Sequence, residues 1–272
     1  MLPYFKKYSI IACIIGVLPS VVVSTVYPMV TGSIMASTLG GLAVLLALFM
    51  VSMVLGFNIM ERVAETRTNG LLALYNDACD PEALIAQGKE VAEAVSFPCR
   101  AAGAWYMAYY AQALLEEGKV DQARLIEQGL RQSIQAVKKP QQKAGILVNL
   151  IPLADKLDGT EEALALVGQG LALVSGDAGP VAVELRAFLE SQEKIMRVRE
   201  SGHAEDAARL DEAIRASDAY PMRIRVEAAW AEARAYYQLG DAAAERRSLA
   251  FVVDHGNRLA LVAKAQQRLA SV

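Results

Sequence analysis

Between residues 8 and 60 the chain has no Asp, Glu, Lys, Arg or His, an uncharged run of 53 residues. A helix bathed in water needs a polar face, so a run this long excludes an ordinary soluble core element and points to hydrocarbon as its surroundings. Histidine is nearly missing as well. Only His203 and His255 occur, both in turn-like sequence and neither in an HExxH or Cys-x-x-Cys setting, so no metal ligand set is expected. No GxSxG elbow is present, which removes the usual setting of a serine nucleophile. Cysteine is restricted to Cys13, Cys79 and Cys99, too few for a disulfide framework and consistent with a reducing compartment. A basic excess is also lacking: 27 Lys and Arg face 30 Asp and Glu, which argues against a sequence-independent grip on nucleic acid.

What is present divides sharply at Glu61. The uncharged run is diluted near residues 27–38 by Pro28, Thr31, Gly32, Ser33 and Ser37, which predicts two spans, about 9–27 and 39–60. The second has 22 residues, about 33 Å of helix, matching a hydrocarbon slab of roughly 30 Å. The first carries Pro19 in its middle and fits either a kinked span or the core of a cleaved signal peptide. Lys6 and Lys7 precede the spans while Arg62 and Arg67 follow them, so both flanks are expected on the cytoplasmic side of a cell membrane. Small residues four apart, at Gly32, Ala36 and Gly40 and at Ser52 and Gly56, would allow the spans to pack as a hairpin or to self-associate between chains. No ionisable residue lies within either span, which argues against an ion or proton path.

Residues 61–272 hold all 30 acidic residues and read as helix almost throughout. Helices are expected at about 62–76, 82–95, 99–117, 121–137, 141–156, 161–174, 180–202, 205–217, 221–239, 242–254 and 257–270, with Asp80 and Thr160 as caps and the "SGDAG" stretch before Pro180 as a hinge. The breaks repeat. "DPEA", "GKVDQA", "GTEEA" and "GHAEDA" place Ala83, Ala123, Ala163 and Ala207 shortly after turns, and "GDAAAE" supplies a fifth turn at Gly240. A small side chain at a fixed place after a turn lets two helices cross closely, so each unit reads as a helical hairpin that must stack on its neighbours to bury its apolar face. Gly168-Gln169-Gly170 lies inside this helical pattern with no strand before it, so it is not expected to cradle a phosphate.

In "GKVDQA" and "GHAEDA" an Ala follows the turn Gly by five residues, at Gly118 with Ala123 and at Gly202 with Ala207, and this pattern resembles tetratricopeptide repeats. The stretch 229–270 is similar to the closing repeat and capping helix of membrane-anchored bacterial repeat proteins. The units here are longer than the usual repeat, and Glu245 stands where the motif has Ala, which leaves open a regular superhelix or an irregular bundle of hairpins. The resemblance implies a partner-binding groove lined by side chains 13, 10, 6 and 3 residues before each turn Gly, which selects Trp105 and Gln112, Gln192 and Arg199, and Trp230, Arg234 and Tyr237.

The expected fold is all-α: a two-helix transmembrane hairpin in residues 1–60, then a cytoplasmic solenoid of tetratricopeptide-like hairpins in residues 61–272. Neither catalytic residues nor a cofactor are expected. The expected function is a membrane-anchored scaffold or adaptor whose partners are a protein or peptide and the lipid bilayer, with no nucleic acid. The alternative is a structural or regulatory subunit of a larger membrane enzyme or transport complex.

Overall fold

A computed structural model describes residues 39–99 and 101–271 of the chain. Among the described residues there are eleven α-helices and no strand, so the protein is all-α. The chain divides into two compact units, Met1–Gly70 and Leu71–Val272.

The first helix, α1, runs unbroken over Leu39–Asn76, about 57 Å at 1.5 Å per residue. Sequence reading ends one element at residue 60 and begins another at 62. The two are continuous because neither Gly nor Pro interrupts residues 57–69. The expected span at 9–27 lies outside the described residues, as do most side chains of the expected span at 39–60. Among the described residues no helix is long and apolar enough to cross a membrane. The side chains of this stretch that are described are nonetheless exposed: Met50, Val51, Val54, Leu55 and Ile59 each show 53–58 % of their surface.

From Leu71 onward the helices follow one another through short turns. They are α2 (Pro81–Ala94), α3 (Ala101–Glu116), α4 (Val120–Ala136), α5 (Pro140–Asp158), α6 (Thr160–Val174), α7 (Pro180–Glu200), α8 (Ala204–Ala216), α9 (Met222–Leu239), α10 (Ala242–His255) and α11 (Ala260–Leu269). Each packs on the next, and α3 also packs on α5 and α5 on α7. This is a succession of stacked helical hairpins, consistent with an α-solenoid. The core is aliphatic and densest in α5, where Ile146, Leu147, Leu150, Ile151 and Leu153 are fully buried.

Local chemistry explains the turns. Gly118, Gly159, Gly202 and Gly240 have φ of 70°, 96°, 74° and 72°, a region in which a side chain costs about 1 kcal/mol or more. Asp80 accepts from Ala83 N–H at 2.9 Å and Asp241 from Ala244 N–H at 2.9 Å, each satisfying an otherwise orphaned donor of the first turn. Thr160 is different: Gly159 occupies the cap position and Thr160 is already helical. Of the recurring alanines, Ala123 and Ala163 are fully buried. In two later turns the buried alanine stands at Ala208 and Ala244. Glycines elsewhere serve close approach. A Cβ at Gly129 would stand 2.4–2.7 Å from the ring of Phe97, and one at Gly88 would stand 2.3 Å from Tyr106 Oη, which donates to Gly88 O at 2.8 Å.

The "SGDAG" connection expected to act as a hinge is pinned. Arg186 Nη2 donates to the carbonyls of Val174, Ser175 and Asp177, and Gln141 donates to the Asp177 carboxylate, which also accepts from Gly179 N–H. Three buried carboxylates elsewhere each meet an arginine. Asp211 is held by Arg199 across α7 and α8, Glu232 by Arg215 at 2.6 Å across α8 and α9, and Glu245 by Arg268 at 2.6 Å across α10 and α11.

The last turn of this unit bonds to its first. Asn257 Nδ2 donates to Ala78 O at 2.8 Å, Arg258 N–H donates to Cys79 O at 3.2 Å, and the Arg258 guanidinium pairs with Glu82. Asn257 and Cys79 are the two non-glycine residues with positive φ among the described residues, one in each of the joined turns. This clasp also explains why α11 begins at Ala260 rather than near 257: Gly256 to Leu259 are drawn into the turn.

Candidate functional site

Helical periodicity places Trp105, Tyr109, Gln112 and Glu116 along one stripe of α3, and Arg223, Glu227, Trp230, Arg234 and Tyr237 along one stripe of α9. α9 is not close-packed against α3 or α5, and polar side chains bridge them. Lys156 Nζ, from the last turn of α5, donates to Glu116 Oε1 at 3.2 Å and Glu227 Oε1 at 2.8 Å. Arg223 Nη1 donates to the same Glu227 oxygen at 2.9 Å, and its Nε donates to Asn76 Oδ1 at 3.2 Å. The Arg223 guanidinium lies over two rings, with Cζ 4.8 Å from the centre of Tyr75 and 5.6 Å from that of Tyr109. Glu116 spends its other oxygen on Ala260 N–H at 3.1 Å, tying the start of α11 to the cluster.

Two cations and two carboxylates balance, and burial differs among them. The Arg223 side chain is 4 % exposed and that of Glu116 10 %, while those of Lys156 and Glu227 are 28 % and 25 % exposed. Burial alone would raise the pKa of Glu227. The Arg223 and Lys156 charges overcome it and hold the carboxyl down at about 2. Burial likewise opposes the charge on Lys156 and on Arg223, yet Glu227 overcomes it and both are raised. Burial pushes the Tyr75 hydroxyl up to about 12 against the opposing pull of Lys156 and Arg223. Near neutrality Glu227, Lys156 and Arg223 therefore keep their charges and Tyr75 keeps its proton. The arrangement fastens helices from distant parts of the chain.

The residues selected by the resemblance lie on α3, α7 and α9, but no hydrogen bond, ion pair or ring contact joins those of different helices among the described residues. Trp105 is half-buried and meets Tyr109 edge to face at 6.0 Å. Gln112 is buried at 2 % exposure, and its Oε1 has no partner within the protein. Gln192 is half-buried, and Arg199 is committed to Asp211 of its own hairpin. Trp230 is half-buried and Arg234 exposed. Tyr237 is 61 % exposed beneath the Arg268 guanidinium, 4.3 Å from the ring centre.

Glu227 is the residue that sequence reasoning passed over. It stands 13 positions before Gly240, in the register that selects Trp230, Arg234 and Tyr237. Arg223 stands four residues before Glu227 on α9, a spacing visible in the sequence, whereas the partners of Lys156 lie 40 and 71 residues away and Asn76 lies 147 residues from Arg223. The described residues contain no group of acids, Cys and His arranged to hold a metal ion. No protein-family model, curated protein or solved structure matches the chain.

Proposed function

We propose that this chain is a membrane-tethered helical-repeat scaffold, resembling tetratricopeptide-repeat proteins, that holds a protein or peptide partner at the cytoplasmic face. The observation that carries this reading is the row Met50, Val51, Val54, Leu55 and Ile59. These large apolar side chains are exposed on successive turns of α1, in a stretch with no ionisable residue. At about 25 cal/mol per Å² of apolar surface, water is a costly neighbour for such a row and hydrocarbon is not. Two spans, at 9–27 and 39–60, would serve as the anchor, with Lys6, Lys7, Arg62 and Arg67 holding both flanks inside. Tethering raises a partner's effective concentration at the surface without requiring tight binding. The groove would use Trp105, Gln112, Gln192, Arg199, Trp230, Arg234 and Tyr237. Arg199, Arg234 and Tyr237 are the exposed ones among these, Arg199 being held by Asp211, and aromatic and arginine side chains dominate interface energies.

One observation favours a second reading, that of a subunit packed permanently on a larger membrane assembly. α7 leaves Val181, Val183 and Phe188 exposed at 59 %, 49 % and 44 %, and permanent interfaces are richer in apolar surface than transient ones.

The test uses the full chain expressed in a bacterium. The anchor predicts that it stays with membranes through alkaline carbonate and is released by detergent, and recovery in the aqueous fraction refutes it. Crosslinked partners are then compared between wild type and a Trp230→Ala/Arg234→Ala variant. Loss of one partner supports the groove, unchanged capture refutes it, and a large complex that survives mild detergent in both forms supports the subunit reading.

A further inference from the structure

In a chain with more acidic than basic residues, the last helices are an exception. Residues 229–270 hold six Lys and Arg against four Asp and Glu, and no acidic residue follows Asp254. Three of the four acids are already engaged: Glu232 accepts from Arg215, Glu245 from Arg268 and Asp241 from Ala244 N–H. Two of the cations are not. Arg234 on α9 and Lys264 on α11 are exposed and make no hydrogen bond or ion pair among the described residues. The fold sets both on one face. α9 and α11 touch each other, and each is joined to α10 by a short reversal, so the two run in the same direction. Tyr237 and Arg268 fix their register, the guanidinium standing 4.3 Å from the ring centre. Arg234 is one turn before Tyr237 and Lys264 one turn before Arg268, so both lie about 5.4 Å along the helices from that contact. Trp230 extends the α9 stripe by a further turn and is half-buried, whereas Tyr237 is 61 % exposed. Unmatched cations flanked by two aromatic rings have the composition of an interface anchor rather than of a solvated helix face.

Building on the groove reading above, we infer that the α9–α11 face receives an acidic segment of the protein partner. Carboxylates of that segment meet Arg234 and Lys264, and an apolar side chain between them lies against Tyr237. Glu245 supports the face by holding Arg268, whose guanidinium covers the tyrosine ring. Charge complementarity selects the occupant, because the face offers positive charge that no residue of this chain answers. An anionic membrane surface is the other candidate for a tethered chain. Membrane adsorption draws on clusters of about four to eight cations, however, and two free ones beside aromatic rings fit a discrete peptide segment better.

The experiment measures fluorescence anisotropy with the full chain in a neutral detergent. The probes are a short labelled peptide rich in Glu with one central Tyr, and its counterpart with Gln for every Glu. The Glu peptide should bind at least about tenfold more tightly than the Gln peptide, and an Arg234→Glu/Lys264→Glu variant should lose at least about tenfold of that affinity. Neither side chain has an internal partner, so the variant should melt with wild type; Arg234→Gln and Lys264→Gln, each weaker by about threefold, serve as milder checks. Equal affinity for the two peptides, no binding of either, or unchanged binding by the charge-reversed variant overturns the inference. If peptides bind equally well and Trp230→Ala abolishes both, the groove reading survives without its acidic partner. In nanodiscs, protection of Lys264 from acylation on adding phosphatidylserine to phosphatidylcholine, with no peptide present, gives the face to the membrane and also overturns the inference.

Discussion

Replacing Glu227 by Gln tests whether the polar bridge holds the helical unit together. The carboxylate accepts from Lys156 at 2.8 Å and from Arg223 at 2.9 Å, so the substitution removes the charge that faces both cations while keeping size and shape. Lys156 is then left with Glu116, and Arg223 with the neutral Asn76 and two aromatic rings. Lowering the carboxyl from its ordinary 4.5 to about 2 corresponds to about 3 kcal/mol at 1.36 kcal/mol per unit. The Glu227 side chain is 25 % exposed, so water recovers part of this and a loss of about 2 kcal/mol is expected. Because the folded-state pKa lies below the unfolded one, this stability is present above about pH 4.5 and disappears as the pH falls toward 2. The assay is urea unfolding of the full chain in detergent, followed by fluorescence of Trp105 and Trp230, the only two tryptophans and both in the helical unit. Wild type should lose stability steeply between about pH 5 and 2, and E227Q should start lower at pH 7 with a flatter acid limb. A change below about 0.5 kcal/mol at pH 7, with the wild-type acid limb intact, would refute the assigned role.

Three further outcomes are expected. Gly129→Ala should destabilise by about 1–3 kcal/mol because its Cβ meets the Phe97 ring at 2.4–2.7 Å, whereas Gly168→Ala, with nothing within 4 Å, should stabilise by up to about 1 kcal/mol; thermal melts of the two distinguish packing from helix propensity. Burial pushes the Cys79 thiol up to about 11 and raises that of Cys99, so in a Cys13→Ser background neither should be alkylated at pH 7 until the chain unfolds, as mass spectrometry would read. Arg268→Ala strands Glu245 at 4 % exposure and should cost about 2 kcal/mol in denaturant melts, with Arg268→Ala/Glu245→Ala recovering part of it.

Much of the helical unit is legible from residue order because its signals are local. The expected elements at 82–95 and 121–137 fall within a residue or so of α2 and α4, and the turn glycines that stop the helices all have positive φ. Local signals also mislead locally. Thr160 has the right chemistry for a cap but sits one residue too late, and "SGDAG" has hinge composition yet is held by Arg186 from the following helix. The charged bridge was not legible. Lys156 and Glu227 are 71 residues apart and Arg223 and Asn76 are 147 apart, so no periodicity on one helix reveals that they meet. The register that selects the proposed groove residues also contains Glu227; its partner Arg223 lies one turn before it on α9, but its partner Lys156 is supplied only by the assembled helices.

The clasp of Asn257 and Arg258 on residues 78–82 constrains how this unit can change over evolutionary time. An array with free ends lengthens by duplicating a hairpin, since the copy simply adds a layer. Here a duplicated hairpin would drive the two stitched turns apart and break Lys156, Arg223 and Arg258 from their partners at once. Growth should be confined to loops that point away from the seam, leaving the number of helices the most slowly changing property of the domain.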